Sequence, residues 1–304
     1  MQIMQKRKIK KYRKRDYMGL VYIAPWLLGF LLLQLYPFVS SFIYSFTDYK
    51  FFNEPSFVGL KNYIRLFKLD PEFWGSLKVT LLYTVITVPG KLTMALFIAT
   101  LLNRNVKGIG AIRTIYYLPS LFGGSVAVAI LWKILFMSDG AINNILSSIH
   151  LPTVQWLGNG KSAVVTICML EIWQFGSSMV MFLAALKQVP ASLYEAASLD
   201  GAGSVKKFFS ITLPQITPII FFNLIMQTIT ALQNFTSAFV VTGGGPNKAT
   251  YVLGMKLYTD AFGYYKMGYA CATSWVIFAM VMVVTLLLFR FSSGKIYYED
   301  GGDF

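Results

Sequence analysis

Long apolar tracts alternate with charged loops along this chain, and six of them reach the ~20 residues a helix needs to cross the hydrocarbon of a bilayer. Lipid offers no hydrogen-bond partner to a bare peptide group, so such tracts are expected to cross as helices. The first lies within 31 uncharged residues, 17–47, and is placed at 18–40, with Pro25 near its start and Pro37 near its end. The others are expected at 79–103, interrupted only by Lys91; at 114–136; at 162–186, with Glu171 as its one charge; at 218–241, inside the 40 uncharged residues 208–247; and at 267–289. The pattern predicts an all-α polytopic membrane protein of six transmembrane helices. A basic arm, 1–17, precedes the membrane domain, 18–291, and a short tail, 292–304, follows it.

Composition agrees with that reading. Of 304 residues, 56% are hydrophobic and only 13% charged, too little polar surface for an ordinary soluble domain. The 27 Lys and Arg against 13 Asp and Glu give a net charge of +14, which in a soluble chain would raise nucleic-acid binding. Their distribution points elsewhere. Sixteen basic and six acidic residues fall on the face that holds both termini, eight of the basic ones in the arm, whereas the opposite face holds eight and six in longer loops. The positive-inside rule therefore places both termini in the cytoplasm, with the arm resting on anionic lipid headgroups and no nucleic acid involved. The first apolar tract is too long for a signal peptide and has no small-residue cleavage site, so it reads as an uncleaved helix.

Several chemistries find no support. Cys168 and Cys271 sit in apolar runs and His150 is the only histidine, which leaves no zinc cluster or disulfide framework to build. Gly158-Asn159-Gly160-Lys161-Ser162 imitates the end of a phosphate loop, but Gln155 stands where its first glycine belongs. The G-x-G-x-x-G begun by Gly108 and Gly110 fails at Arg113. No nucleophile is paired with a base, so the chain is not expected to be an enzyme, and uphill transport would draw its work from a partner or an ion gradient.

The loop between the fourth and fifth spans, 190–214, parses as two short helices joined by a tight turn. Pro190 suits a first helical position, Gly201 the left-handed residue after a helix, Ser204 a cap, and Pro214 a stop. Short alanines around the turn would let another protein's groove approach the backbone closely. The spacing E-A-A, three residues, G, nine residues, I-x-L-P is met without a gap by Glu195, Ala196, Ala197, Gly201, Ile211, Leu213 and Pro214, with Asp200 just before the glycine. This resembles the coupling loop of binding-protein-dependent ABC importer permeases. Phe57-Val58-Gly59-Leu60-Lys61-Asn62-Tyr63, Tyr117-Leu118-Pro119, and Thr242-Gly243-Gly244-Gly245-Pro246 with Thr250 are similar to the carbohydrate branch of that family, which includes the maltose, glycerol-3-phosphate and multiple-sugar permeases.

The resemblance implies a type I ABC importer permease in the bacterial cytoplasmic membrane. It also implies a second homologous permease subunit, a cytoplasmic ATPase dimer that binds ATP-Mg, and an extracytoplasmic solute-binding protein that delivers a carbohydrate. This chain itself would bind no cofactor. Glu195 would contact the ATPase, and Gly201 would permit the sharp turn. The plainer alternative for the loop is an amphipathic connector lying on the membrane surface.

Polar residues inside the spans mark candidate pathway positions, because they are costly in lipid and face a bundle interior or a watery cavity. Asn223, Gln227, Thr230 and Asn234 recur at steps of four, three and four, one helical face, extended by Ser237 and bordered by Gln233. Glu171, Gln174 and Ser178 form a similar row in the fourth span, with Trp173 beside them. Amides and carboxylates match sugar hydroxyls, and an indole covers the apolar side of a pyranose. The same groups also serve as interhelical glue, and both readings stand at this point. Lys133, near a span end, can snorkel, whereas the deeper Lys91 is placed to pair with Glu171. Competing functions are an ion-coupled secondary transporter with Glu171 as its coupling carboxylate, disfavoured by the single intramembrane acid and the lack of an inverted repeat, and an intramembrane enzyme.

Overall fold

A computed structural model of the chain describes residues 18–51, 53–104 and 107–292. The basic arm 1–17 and the tail beyond Ser292 lie outside them. In chain order the helices are α1 (Met18–Phe30), α2 (Tyr36–Tyr44), α3 (Lys61–Ile64), α4 (Pro71–Leu102), α5 (Ile109–Leu121), α6 (Val126–Leu135), α7 (Ala141–Ser148) and α8 (Gly160–Trp173). They continue with α9 (Gly176–Gln188), α10 (Ala191–Leu199), α11 (Ser204–Lys207), α12 (Leu213–Gln215), α13 (Thr217–Leu232), α14 (Leu253–Tyr258) and α15 (Met267–Ser292). The only β pairing among the described residues is two isolated bridges, Thr47 with Phe57 and Lys50 with Asn53.

Three helices are long and apolar enough to cross a membrane unaided: Val21–Tyr44, which runs through a π turn, Pro71–Leu102 and Met267–Phe291. Three further spans are bent pairs: α5 with α6 at 101°, α8 with α9 at 44°, and Ser204–Gln215 with α13 at 67°. Counting each pair as one span gives six. The spans expected at 114–136, 162–186 and 218–241 fall where the helices are interrupted. The third breaks around Gly123-Gly124, the fourth at Gln174-Phe175, and the fifth ends at Leu232, with a π turn, Ala238–Thr242, beyond it. Hydropathy alone does not separate a straight helix from a bent one, because non-helical backbone is tolerated at membrane depth where it lines a protein cavity.

The long α4 is the hub, in contact with α8, α9, α13 and α14. Tyr83, Val88, Leu92, Ala95 and Ala99 on α4 form one core with Ile167, Leu170, Met179 and Phe182. Its buried threonines leave no hydroxyl unmet: Thr80, Thr84 and Thr87 donate to the carbonyls of Ser76, Thr80 and Tyr83, each at 2.8 Å. Helix α9 crosses α5 at Gly176, where a β-carbon would come within 2.7 Å of the Tyr116 carbonyl and 2.8 Å of Tyr117 Cα. By contrast Val21–Tyr44 is not buried in its apolar window, and α2 meets α15 through the ring of Phe38 on Trp275 and Phe278, the ring of Phe42 on Trp275, and a hydrogen bond from Trp275 Nε1 to Ser41 Oγ.

The Pro71 end of α4 is tied down by a buried ionic cluster. Asp70 caps the helix, its Oδ1 accepting from the Glu72 and Phe73 amides, while its Oδ2 receives Lys256 Nζ at 2.6 Å and the Tyr269 hydroxyl at 2.5 Å. Asp260 Oδ2 lies 3.0 Å from the same ammonium, buried and without a well-aligned hydrogen bond. Burial opposes ionisation of Asp70, but the bonds from Lys256 and Tyr269 outweigh it and hold its pKa below the ordinary 3.8. Burial likewise opposes the Lys256 charge, and its two carboxylate partners overcome it and raise the pKa above 10.5. For Asp260 burial prevails over the nearby ammonium and its pKa is raised.

The signs follow from linkage. Stabilisation through Asp70 is present above pH 3.8 and lost as pH falls through its depressed folded value; that through Lys256 is full below pH 10.5 and lost above it. Asp260 acts in the opposite sense, costing stability as pH rises above 3.8. Asp70→Asn, which keeps the capping oxygen but removes the charge, is expected to cost on the order of 3 kcal/mol. Asp260→Asn should be close to neutral. Thermal melts of the two purified variants at neutral pH check the contrast. At Gly176, alanine is expected to force α5 from α9 and cost about 1–3 kcal/mol, read in the same melts.

Candidate functional site

The bends of two spans and the far end of α13 enclose a polar cavity of about 420 Å³, within the ~300–1,000 Å³ range of small-molecule sites. The break between α5 and α6 contributes Ser120, Gly123, Gly124 and Ser125; the break between α8 and α9 contributes Glu171, Gln174 and Ser177. Gln227 and Thr230 come from α13, and Gln233 to Ser237 from the segment after it, while α4 supplies Tyr83 and Lys91. Amides, hydroxyls and one ion pair thus converge where the helices give way.

That pair is Lys91 with Glu171, Nζ to Oε1 at 2.9 Å, joining α4 to α8 across the cavity wall. Nearby, Gln227 Nε2 donates to Ser178 Oγ at 3.3 Å, and Ser237 donates to Asn234 Oδ1 at 2.8 Å. Two donors in this wall, Tyr83 Oη and Asn234 Nδ2, are buried without a hydrogen-bond partner. An unmet buried donor is costly, and its pairing awaits an acceptor brought by water, a ligand or movement.

Glu171, Gln174, Gln227, Thr230 and Asn234 therefore line the cavity, and two other predicted pathway residues do not. Asn223 lies a turn nearer the α12 end of α13, is 2% exposed, and returns its amide to the Ile219 carbonyl. Trp173 is 41% exposed and faces away, its ring 5.5 Å from that of Trp132. A helical repeat orders residues around one helix but does not say where neighbouring helices close over that face. Tyr83 and the Ser120 to Ser125 bend were not singled out beforehand. Their one signal was Gly123-Gly124 interrupting an apolar tract.

The second feature is the segment 190–214. Helix α10 ends in a paired closure: Ala202 N–H donates to the Ala197 carbonyl at 2.9 Å and Gly201 N–H to that of Ser198 at 3.1 Å, with Gly201 at φ +72°. A residue with a β-carbon is strained there. Pro190 stands one place before the helix rather than within it, Gly203 rather than Ser204 occupies the cap of α11, and Pro214 is carried inside α12 after a π turn, Phe208–Thr212. Tyr194 and Thr212 join the two helices through their hydroxyls at 2.8 Å. Glu195, Ala196, Asp200 and Gly201 are exposed, and Ala197, Ile211, Leu213 and Pro214 half-buried. Leu199 is 90% exposed at the tip, with Val205 and Phe209 also exposed, an apolar surface that the motif spacing does not reveal.

A bundle of membrane-length bent helices around a polar cavity, with a stiff helical turn exposed between two spans, is the architecture of a membrane permease. The chain belongs to the family described as binding-protein-dependent transport system inner membrane component, whose sequence profile matches residues 91–293. It is 46% identical over 297 residues to the probable ABC transporter permease protein YesP of Bacillus subtilis, covering 97% of this chain and 96% of that one. It is 38% identical to the sulfoquinovosyl glycerol transport system permease protein SmoG of Agrobacterium fabrum, covering 77% and 76%. The fold matches a chain of a bacterial alginate ABC transporter solved with an alginate pentasaccharide-bound periplasmic protein, at a TM-score of 0.80 and 24% identity, covering 92% of this chain and 95% of that one.

Lys91→Glu and Glu171→Lys singly leave like charges facing each other, and each is expected to lower the melting temperature. The double exchange should recover a coupling on the order of 1–3 kcal/mol. Absence of recovery would show that the pair is not a paired unit.

Proposed function

We propose that this chain forms half of the translocation pathway of an ATP-driven, binding-protein-dependent importer in the bacterial cytoplasmic membrane, and that its cargo is a sugar or oligosaccharide. The observation that carries the reading is the cavity at the helix bends, walled by Gln174, Gln227, Thr230 and Asn234, in a chain of this permease family. Neutral amides and hydroxyls that both donate and accept suit the many hydroxyls of a sugar. The relatives support a carbohydrate cargo: SmoG is named for sulfoquinovosyl glycerol, and a further relative is the trehalose/maltose permease MalF of Thermococcus litoralis.

Segment 190–214 is the contact to a cytoplasmic ATPase dimer, where ATP-Mg is bound and hydrolysed; this chain contributes neither catalysis nor cofactor. Glu195, Ala196, Ala197, Asp200 and Gly201 form the docking turn, held by Ile211, Leu213 and Pro214. The exposed Leu199 and Val205 supply apolar area to that interface. Both termini are cytoplasmic by the charge distribution, with the arm on anionic lipid. A second homologous permease completes the pathway, and a solute-binding protein delivers the sugar to the opposite face.

Co-expression with the ATPase and second permease of the same transport system should yield a stable complex whose ATP hydrolysis rises when loaded binding protein is added. Transport by the purified single chain under an ion gradient, without the ATPase, would overturn the reading. Gly201→Val, which places a β-branched residue at φ +72°, should leave membrane insertion intact and abolish the stimulation. Normal uptake in that variant would remove the docking role from this loop.

A further inference from the structure

Among the described residues, Lys91 and Glu171 are the only charged side chains in the wall of the cavity. They come from different helices, α4 and α8, eighty positions apart in the chain, and meet at 2.9 Å. The side chains are 8% and 20% exposed, so the ammonium is the more sheltered partner and the carboxylate the one nearer the cavity space. The remainder of the wall is uncharged, and it includes the two unmet donors Tyr83 Oη and Asn234 Nδ2.

Accepting the cavity as this chain's half of the sugar pathway, we propose that the Lys91–Glu171 pair sets the charge that half presents to its solute: the pair holds this wall electrically neutral, as suits an uncharged sugar. Either charge alone, in a cavity of low dielectric, would draw solutes of opposite sign and repel those of its own. Paired, the two form a compact dipole whose long-range field largely cancels. Lys91 engages Oε1 of Glu171, and the carboxylate remains an acceptor for sugar hydroxyls. Loss of Glu171 would leave Lys91 unpaired in the wall and convert the pathway into one that favours carboxylated sugars.

The test reads the potential directly in the assembled complex. Cys168 and Cys271 are replaced by alanine and a reporter thiol is introduced as Ser177→Cys, an exposed position in the cavity wall. Its rates of modification by anionic ethylsulfonate and cationic ethyltrimethylammonium methanethiosulfonates are compared with those of a free thiol. With the pair intact the anionic-to-cationic ratio is expected to match the free thiol within about threefold. Glu171→Gln should raise it about tenfold, Lys91→Met should lower it about tenfold, and the double variant should return it towards the starting value.

A ratio unmoved by both single variants, even with a lowered melting temperature, would reduce the pair to helix glue and overturn the proposal. So would an intact complex whose ratio departs from the free thiol by more than about tenfold. Failure of the pathway reading is separate: the intact complex would then show no stimulation of ATP hydrolysis by sugar-loaded binding protein, whatever the thiol ratio.

Discussion

Lipid cannot hydrogen-bond a peptide group, and the architecture of this permease follows from where that constraint is relaxed. Three spans are long helices that satisfy their own backbone. The other three bend, two of them at uncharged breaks that open onto the cavity, at Gly123-Gly124 and at Gln174-Phe175. The third opens onto it where α13 gives way after Leu232. Breaks of this kind free backbone and side-chain groups together. The polar wall of Ser120, Ser125, Gln174, Gln233 and Asn234 is thus a by-product of interrupting helices side by side, and the unbroken α4 is the post against which the interrupted helices are held.

Charge is used sparingly and in two different ways. At the Pro71 end of α4, Asp70, Lys256, Asp260 and Tyr269 lock a helix start to the loop before α15 and to α15 itself; this cluster is buried and structural. At the cavity, Lys91 and Glu171 tie α4 to α8 while contributing no net charge to the wall. The first cluster has an excess acid, and it is Asp260, the acid with the poorer geometry, whose pKa moves upward. The second is balanced. The cavity wall and the fixed anchor of its scaffold thereby draw on the same residue types with different stoichiometry.

The membrane count, the paired Lys91 and Glu171, and the left-handed Gly201 were legible in the chain because each rests on a local rule: apolar length, an isolated opposite charge at similar depth, a glycine after a helix. The bends were not, since an uncharged tract with two glycines reads as continuous until its neighbours are known. Asn223 shares the helical face of Gln227 yet lies where the bundle closes, and Trp173 sits beside Gln174 but turns to Trp132. Both lie outside the cavity for one reason: periodicity describes a single helix, whereas a cavity is a property of several. The Asp70–Lys256 contact joins the cap of α4 to α14, residues far apart in the chain, and no spacing rule connects them.

Passage of sugar through the space between the bends is tested by a structure of the assembled importer, trapped after release of sugar from its binding protein. Sugar density is expected within hydrogen-bonding distance of Glu171, Gln227 and Asn234. Density confined to another surface, with this cavity filled by side chains of the second permease, would contradict it.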